Sequence, residues 1–192
     1  MGRTPVHDPE EHPVAESSTF EPDGRAVDYV DEGEGPVGLV LIHGIGRTGE
    51  ALGVIAHYLA EEAGFRVVQI GADTVDDVIA VMDHLGLEDA WIGGHGSGGT
   101  LARHVVAAHH ERSNGLLLLG VEDEDIALAP ALPVLIIQGA EDDVTPPANG
   151  DRLQATAPER ASVKTLAGAD HHFPVTHPIE TAYIIEEYLD WD

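Results

Sequence analysis

The chain has 192 residues, of which 43% are hydrophobic, so it is expected to fold around one sizeable core. Its 35 acidic residues against nine Lys and Arg give a formal charge of −26, which opposes binding to nucleic acids and anionic membranes, because both carry phosphate. The lack of cysteine excludes disulfides, thiolate catalysis and cysteine-ligated zinc.

The first 19 residues are polar, acidic and interrupted by proline, which predicts a flexible tail. They contain no apolar stretch of the kind found in a secretory signal. Nowhere does the chain reach an apolar run of roughly 18 residues, the length of a transmembrane helix. We therefore expect a cytoplasmic protein without membrane insertion, in which residues 20–192 form a single domain.

Two patterns distinguish strands from helices in the rest of the chain. Near-continuous apolar runs such as 37–44 indicate strands buried on both faces, and the weakly alternating segment 25–30 is interpreted as an edge strand. Helix 74–86 places apolar residues on one face behind a capping candidate, Thr74. In chain order, the predicted elements are strands 25–30 and 37–44, helix 50–64, strand 65–70, helix 74–86, strand 90–94, helix 100–110, strands 115–121 and 133–139, helix 149–157, strand 162–168 and helix 179–191.

Strands and helices alternate with short connections, which predicts an α/β fold with a mostly parallel twisted sheet and helices on both faces. In such sheets the functional groups lie at the carboxyl ends of the strands. Four segments follow predicted strands in this way: "HGIG" (43–46), "GHGSGG" (94–99), "GAEDDVTPP" (139–147) and "GADHHF" (168–173). Their order of turn, acid and histidine is that of hydrolases with a Gly-X-Ser-X-Gly nucleophile elbow.

These segments resemble the motifs of the α/β-hydrolase family, and the resemblance extends over about residues 25–191. "LVLIHGIG" resembles the oxyanion loop of the family, and "IGGHGSGGTLA" resembles its nucleophile elbow. "LIIQGAEDDVTPP" resembles the acid loop, and "LAGADHHFPVTHP" resembles the histidine loop. The resemblance implies a serine-hydrolase type of chemistry on carboxylic esters, with no cofactor.

The size of the chain narrows the resemblance. Many members of the family insert a helical cap after the strand that precedes the acid strand, whereas here only residues 122–132 fill that interval. The chain is therefore similar to the small, capless lipases and esterases. An open site that excludes little water is the expected consequence.

The elbow segment leaves two positions open for the nucleophile. The turn is too tight for side chains two residues before and two residues after the nucleophile, so small residues are needed there. With Gly96 as that position, both neighbours are glycines, Gly94 and Gly98; with Ser97, the residue two before is the bulky His95. Packing favours Gly96 at the elbow. Ser97 is then either a displaced nucleophile or a serine that caps the following helix.

The resemblance also implies the other members of the site. Asp142 lies four residues before Pro146, as the family's acid does, and would orient an imidazole, whereas Asp143 is expected to be solvated. His171 fits the "Gly-Ala-Asp-His" form of the histidine loop and is favoured over His172, which fits an alternative "His-Phe-Pro" form.

An oxyanion hole is expected from the backbone N–H groups of Ile45 and Ser97. No predicted helix carries the His-X-X-X-His or Glu-X-X-His spacing of a metal site, so no metal is expected.

Two classes of function remain. The first is a hydrolase of small esters that works through Ser97 or through a water held by the histidine, with Asp142 and His171, and whose activity is weak or lost because glycine occupies the nucleophile position. The second is a non-catalytic homologue that binds a small molecule or a protein; a glycine substituted for a natural serine would produce the same motif.

The charge composition resembles that of halophilic proteins, and Lys164 is the only lysine. Concentrated cations screen the self-repulsion of such a surface to a range of about 3 Å at 1 M salt. A GC-rich genome favours arginine over lysine and would explain the missing lysines, but it would not explain a surplus of about 26 acids. We therefore interpret the chain as halophilic.

Overall fold

One sheet contains all the strands of the computed structural model, which describes residues 17–22, 24–43 and 50–190. Its eight strands are β1 (Ser18–Phe20), β2 (Val27–Glu32), β3 (Gly38–His43), β4 (Arg66–Gly71), β5 (Ala90–His95), β6 (Ser113–Leu119), β7 (Val134–Gly139) and β8 (Ala161–Leu166). They are hydrogen-bonded in the order β1-β2-β4-β3-β5-β6-β7-β8. The strands from β3 to β8 are parallel, whereas β1 pairs antiparallel with β2 and β2 pairs antiparallel with β4. The predicted α/β fold with a mostly parallel sheet is confirmed.

Helices cover both faces of this sheet. They are α1 (Glu50–Glu61), α2 (Val75–His84), α3 (Ser97–Ala108), α4 (Pro147–Ala155), α5 (Phe173–Thr176) and α6 (Pro178–Leu189), with a short 3₁₀ turn at His110–Arg112. Because side chains alternate along a strand, Val40 and Ile42 of β3 join one apolar cluster with α2 and α3, whereas Leu39 and Leu41 join another with α1 and α6. The continuous apolar strands therefore supply both cores.

The structure confirms one predicted cap and corrects three predicted features. The hydroxyl of Thr74 accepts a hydrogen bond of 3.2 Å from the backbone N–H of Asp77, so Thr74 caps α2 as predicted. The segment predicted as an edge strand is internal, because β1 pairs with β2 and forms the edge. β1 begins at Ser18, within the segment 1–19 predicted as a tail; residues 1–16 lie outside the described residues. α3 begins at Ser97, three residues earlier than predicted.

The connection from β6 to β7, residues 120–133, contains neither helix nor strand. Side chains from the flanking helices and loops hold its backbone. The guanidinium of Arg103 on α3 donates to the carbonyls of Glu124 and Ile126, and that of Arg160 donates to the carbonyls of Ala129 and Leu132. Across the described ranges, no helix is long and apolar enough to cross a membrane.

Candidate active site

The turn between β5 and α3 has a backbone conformation that favours glycine. Gly96 stands between the last residue of β5, His95, and the first residue of α3, Ser97, with φ +56° and ψ −116°. Its N–H donates to the carbonyl of Leu119 at 2.9 Å, and its own carbonyl accepts from the N–H of Thr100 at 3.1 Å. Both polar groups of its backbone are therefore hydrogen-bonded, and a turn with positive φ leads directly from strand into helix.

Close backbone packing explains the glycines on either side of this turn. A Cβ at Gly94 would lie 2.4 Å from the backbone carbonyl carbon of Gly98, and a Cβ at Gly98 would lie 2.1 Å from the carbonyl oxygen of Ile42 on β3. Neither position accepts a side chain without movement of the backbone. The two positions that must be small are thus centred on Gly96 and not on Ser97.

A side chain at position 96 would face His171. An ideal Cβ built on Gly96 lies 3.6 Å from Cε1 and 3.8 Å from Nε2 of the His171 imidazole, both in the range of ordinary van der Waals contact. Apart from Gly96 itself and its chain neighbours His95 and Ser97, no other atom of the described residues lies within 4 Å of that Cβ. Gly96 itself is buried. A side chain at position 96 would therefore point at Nε2 of His171, but the glycine has none.

Ser97 lies apart from this arrangement. It is exposed, and its hydroxyl makes no hydrogen bond with any residue that the structure describes. The N-cap of α3 is Gly96, without a side-chain bond, so the alternative in which Ser97 caps this helix is wrong. The other predicted oxyanion donor, Ile45, falls outside the described residues.

The predicted acid and the favoured histidine are hydrogen-bonded to each other. Oδ2 of Asp142 lies 3.0 Å from Nδ1 of His171. The carboxylate of Asp142 is fully buried, and the imidazole of His171 is 19% exposed. Asp143 is exposed, as predicted, and His172 is exposed and donates its backbone N–H to Oδ1 of Asp170 at 2.9 Å. The loops therefore bring together Asp142 and His171, while Asp143 and His172 point elsewhere.

Thr145 completes the hydrogen bonding of the acid, and sequence reasoning missed it. Its hydroxyl donates to Oδ2 of Asp142 at 2.7 Å, and the backbone N–H groups of Val144 and Thr145 donate to Oδ1 at 2.9 and 2.8 Å. Burial alone would raise the pKa of Asp142, but these bonds and the one to His171 outweigh it, and the pKa is lowered. The signal was available, because an aspartate often accepts from backbone two or three residues later in a turn.

These bonds also determine where the imidazole of His171 holds its proton. The Thr145 hydroxyl has one hydrogen, which it donates to the carboxylate, so its oxygen, 3.1 Å from Nδ1, acts as an acceptor towards the ring. An ionised Asp142 is likewise an acceptor. Nδ1 therefore carries the proton in neutral His171, and Nε2 presents its lone pair towards Gly96.

His95, the residue before the turn, joins the elbow to the histidine loop. Its Nε2 donates to the backbone carbonyl of His171 at 2.8 Å, and the two imidazole rings lie 4.5 Å apart. The edge of its ring also meets Phe173. Burial, followed by repulsion from a protonated His171, lowers the pKa of His95 to about 4, so His95 is neutral at pH 7. No sequence signal marked this role.

Comparison with known proteins agrees with this architecture. The sequence model of the alpha/beta hydrolase family matches residues 54–174, more than half of the chain, and the chain belongs to that family. No curated protein matches the chain.

Solved structures show the same fold at low sequence identity. An alpha/beta hydrolase enzyme from the metagenome of sediments from the lagoon of Mar Chica, Morocco, has a TM-score of 0.78 at 18% identity, over 91% of this chain and 98% of that one. A thermophilic esterase from Thermogutta terrifontis has a TM-score of 0.76 at 16% identity, over 92% and 98%. A meta-cleavage product hydrolase from Pseudomonas fluorescens IP01 has a TM-score of 0.75 at 19% identity, over 87% and 95%.

Proposed function

We propose that this alpha/beta hydrolase is an esterase-like protein whose hydrolysis of small esters is weak or lost because Gly96 occupies the nucleophile position. The observation that supports this most directly is the direction of a Cβ at Gly96, which lies 3.8 Å from Nε2 of His171. The acid and the base of a triad are in hydrogen-bonding contact behind that position. What the elbow lacks is the hydroxyl.

The roles of the remaining groups follow from their contacts. Asp142 holds the proton of His171 on Nδ1, which leaves Nε2 free to take a proton from a nucleophile and return it to the leaving alcohol. The backbone N–H of Ser97, at the start of α3, and that of Ile45 are proposed to bind the oxyanion. Ser97 is exposed and lies one position after the turn, so its hydroxyl is not proposed to attack.

Small esters are proposed as the substrates on two grounds. The connection 120–133 contains no helix, in line with a capless and open site. One structural relative is described as an esterase. The second candidate function, a non-catalytic homologue that binds a small molecule or a protein, is favoured by the glycine itself and is separated from the first by the following experiment.

Gly96→Ser should turn the chain into an efficient hydrolase of p-nitrophenyl acetate. Loss of the nucleophile in a worked serine protease costs on the order of 10⁶-fold in kcat, so a gain of about 10³-fold or more is expected here. The gain should disappear in Gly96→Ser/His171→Ala and survive in Gly96→Ser/Ser97→Ala.

The serine should cost about 1–3 kcal/mol of stability, because a residue other than glycine is strained at φ +56°. Urea unfolding measures that cost and establishes that each variant is folded. A folded Gly96→Ser variant without esterase activity would favour the binding-module alternative. Gly96→Ser/His172→Ala serves as the matched control, because no hydrogen bond between described residues joins His172 to Asp142.

We also propose that the protein is halophilic, on the basis of its charge of −26. Its melting temperature should rise between about 0.1 M and 2 M KCl, because screening relieves the self-repulsion of the acidic surface. Sucrose at matched osmolality controls for general exclusion from apolar surface. An equal or lower melting temperature in 2 M KCl would reject the halophilic interpretation.

A further inference from the structure

Three features of the site at position 96 do not depend on a serine there. The turn is buried and its backbone is hydrogen-bonded. The Cβ direction leads to Cε1 and Nε2 of His171, and beyond the chain neighbours of Gly96 no other described atom lies within 4 Å of that Cβ. The imidazole behind it is fixed by Asp142 and Thr145 through Nδ1. The histidine base therefore faces the space beside Gly96, where the glycine itself places no side chain.

We propose that this space beside Gly96 binds a small hydroxyl compound, water or a short primary alcohol, which His171 activates for direct attack on an ester, without an acyl-enzyme. The inference rests on the proposed function, because it uses the same acid and the same histidine. It adds a second substrate class, a small nucleophile that replaces the serine hydroxyl. The protein would then be a direct acyl transferase to small alcohols as well as a hydrolase.

The chemical size of the missing group defines the ligand. A serine side chain is one carbon and one hydroxyl, the same two heavy atoms as methanol. An untethered methanol cannot approach the Cα of Gly96 as closely as a Cβ does, but its hydroxyl can donate to Nε2 of His171 while its methyl group rests against the glycine. A branched alcohol such as tert-butanol presents a much larger group to the same buried turn. Selection by size is the expected property of the site.

The reaction balances with the groups present. The alcohol oxygen attacks the acyl carbon of p-nitrophenyl acetate while its proton moves to Nε2 of His171, and Asp142 stabilises the imidazolium through Nδ1. The C–O bond to the aryl group then breaks, and p-nitrophenolate leaves. The imidazolium releases its proton to solvent. Methanol yields methyl acetate and water yields acetate, and no bond to the protein forms at any stage.

The start of α3 suits the charge that develops in this step. The helix is twelve residues long, and its cap, Gly96, leaves the first backbone N–H groups without a side-chain acceptor. Those N–H groups carry partial positive charge and lie directly after the turn. They would stabilise the negative charge that develops on the acyl oxygen, while the activation of the alcohol depends on the geometry of His171 and Gly96.

The test uses the unaltered chain with p-nitrophenyl acetate and increasing methanol, ethanol or tert-butanol. The ratio of alkyl acetate to acetate is measured by NMR and compared with the uncatalysed reaction under the same conditions. We expect methanol to raise the ratio above the uncatalysed value, ethanol to raise it less, and tert-butanol to leave it unchanged. His171→Ala should lower the protein-dependent formation of methyl acetate on the order of 100-fold, the usual contribution of a general base. His172→Ala is the matched control and should keep it.

Two results would overturn the inference. One is a methyl acetate ratio no higher than in the uncatalysed reaction, or one that His171→Ala leaves unaltered. The other is an acetylated protein found by mass spectrometry at a level that accounts for turnover. The alcohol series uses the unaltered chain, so it decides the question even where His171→Ala does not fold.

The outcome is separable from that of the proposed function. An active Gly96→Ser variant together with an unchanged product ratio in the unaltered chain would reject the nucleophile site and keep the proposed function. A folded but inactive Gly96→Ser variant would reject the proposed function, whatever the ratio in the unaltered chain.

Discussion

The two halves of the candidate active site differ in the side chains that they supply. On the side of β7 and β8, Asp142 accepts four hydrogen bonds, and His171 is held between the acid and the elbow. On the side of β5 and α3, the backbone turns at Gly96 with positive φ, but the glycine has no side chain to place in the site. One half has complete hydrogen bonding around its functional groups, and the other has only its backbone.

This difference shows that separate forces stabilise the two halves. The elbow is formed by backbone packing, because Gly98 lies against the carbonyl of Ile42 and leaves no room for a Cβ. The acid is held by donors from its own loop, chiefly Thr145. Neither set of contacts involves a nucleophile. The conformation of the turn therefore does not depend on a hydroxyl at position 96, and neither do the hydrogen bonds of the acid–histidine pair.

The largest expected effect comes from Asp142→Asn in the Gly96→Ser background. Oδ1 accepts from two backbone N–H groups, so the amide oxygen must take that place and the NH₂ group must face Nδ1 of His171. Nδ1 then accepts, and the ring proton moves to Nε2, which can no longer act as a base. Esterase kcat should fall on the order of 10⁴-fold, as in a worked triad.

Asp143→Asn is the control for that substitution. Asp143 is adjacent but exposed, and its amide variant should keep the esterase activity of Gly96→Ser within about twofold, as expected for a surface change. Similar losses in both variants would mean that net charge, and not the tautomer of His171, governs the activity.

The parts of the fold that could be predicted are those in which burial produces a pattern of apolar residues in the sequence. β3 and β7 are nearly continuous apolar runs, because both of their faces are covered. β1 was missed because three residues, Ser18–Phe20, show no period. The first turn of α3 was missed because glycines have low helix propensity, and tertiary packing overrides that preference at Gly98.

The same division holds within the site. The sequence pattern put the segments of Asp142 and His171 after predicted strands, the family resemblance singled out these two residues, and the structure brings them to 3.0 Å. The contacts of His95 with the carbonyl and ring of His171 depend on how two loops meet, which no local pattern records. Thr145 is an intermediate case, since its turn is local but its approach to Nδ1 is not.

His95 links the two halves, and its titration should make stability depend on pH. Its pKa is about 4 in the folded state against about 6.5 when unfolded, so the unfolded state binds a proton first as the pH falls. Stability should therefore decrease between pH 6.5 and 4, by about 3 kcal/mol in total. The pKa of Asp142 is lowered, so the acid stays ionised over this range, and its attraction for a charged His95 is smaller than the effect of burial, which lowers the pKa of His95.

Urea unfolding at several pH values, with His95→Gln as the matched variant, measures this contribution. Glutamine keeps an N–H donor for the carbonyl of His171 and does not titrate. The many surface carboxylates titrate in both proteins, so the difference between the two stability curves isolates His95. Curves that remain parallel from pH 7 to 4.5 would contradict the assignment.

The smallest effect is expected from Thr145→Val, which tests whether the acid is held by hydrogen bonds. Valine has the shape of threonine but removes the donor 2.7 Å from Oδ2 of Asp142, and a bond to a charged group contributes about 2 kcal/mol. Because the folded-state pKa of Asp142 is lowered, this stabilisation is complete above about pH 4, the unfolded value, and is lost as the pH falls through the folded value. The deficit of Thr145→Val in urea unfolding should thus be constant from pH 7 to 5 and shrink below pH 4. Thr145→Ser retains the hydroxyl and should recover most of the stability; an equal deficit in both variants would assign the effect to the lost packing of the threonine.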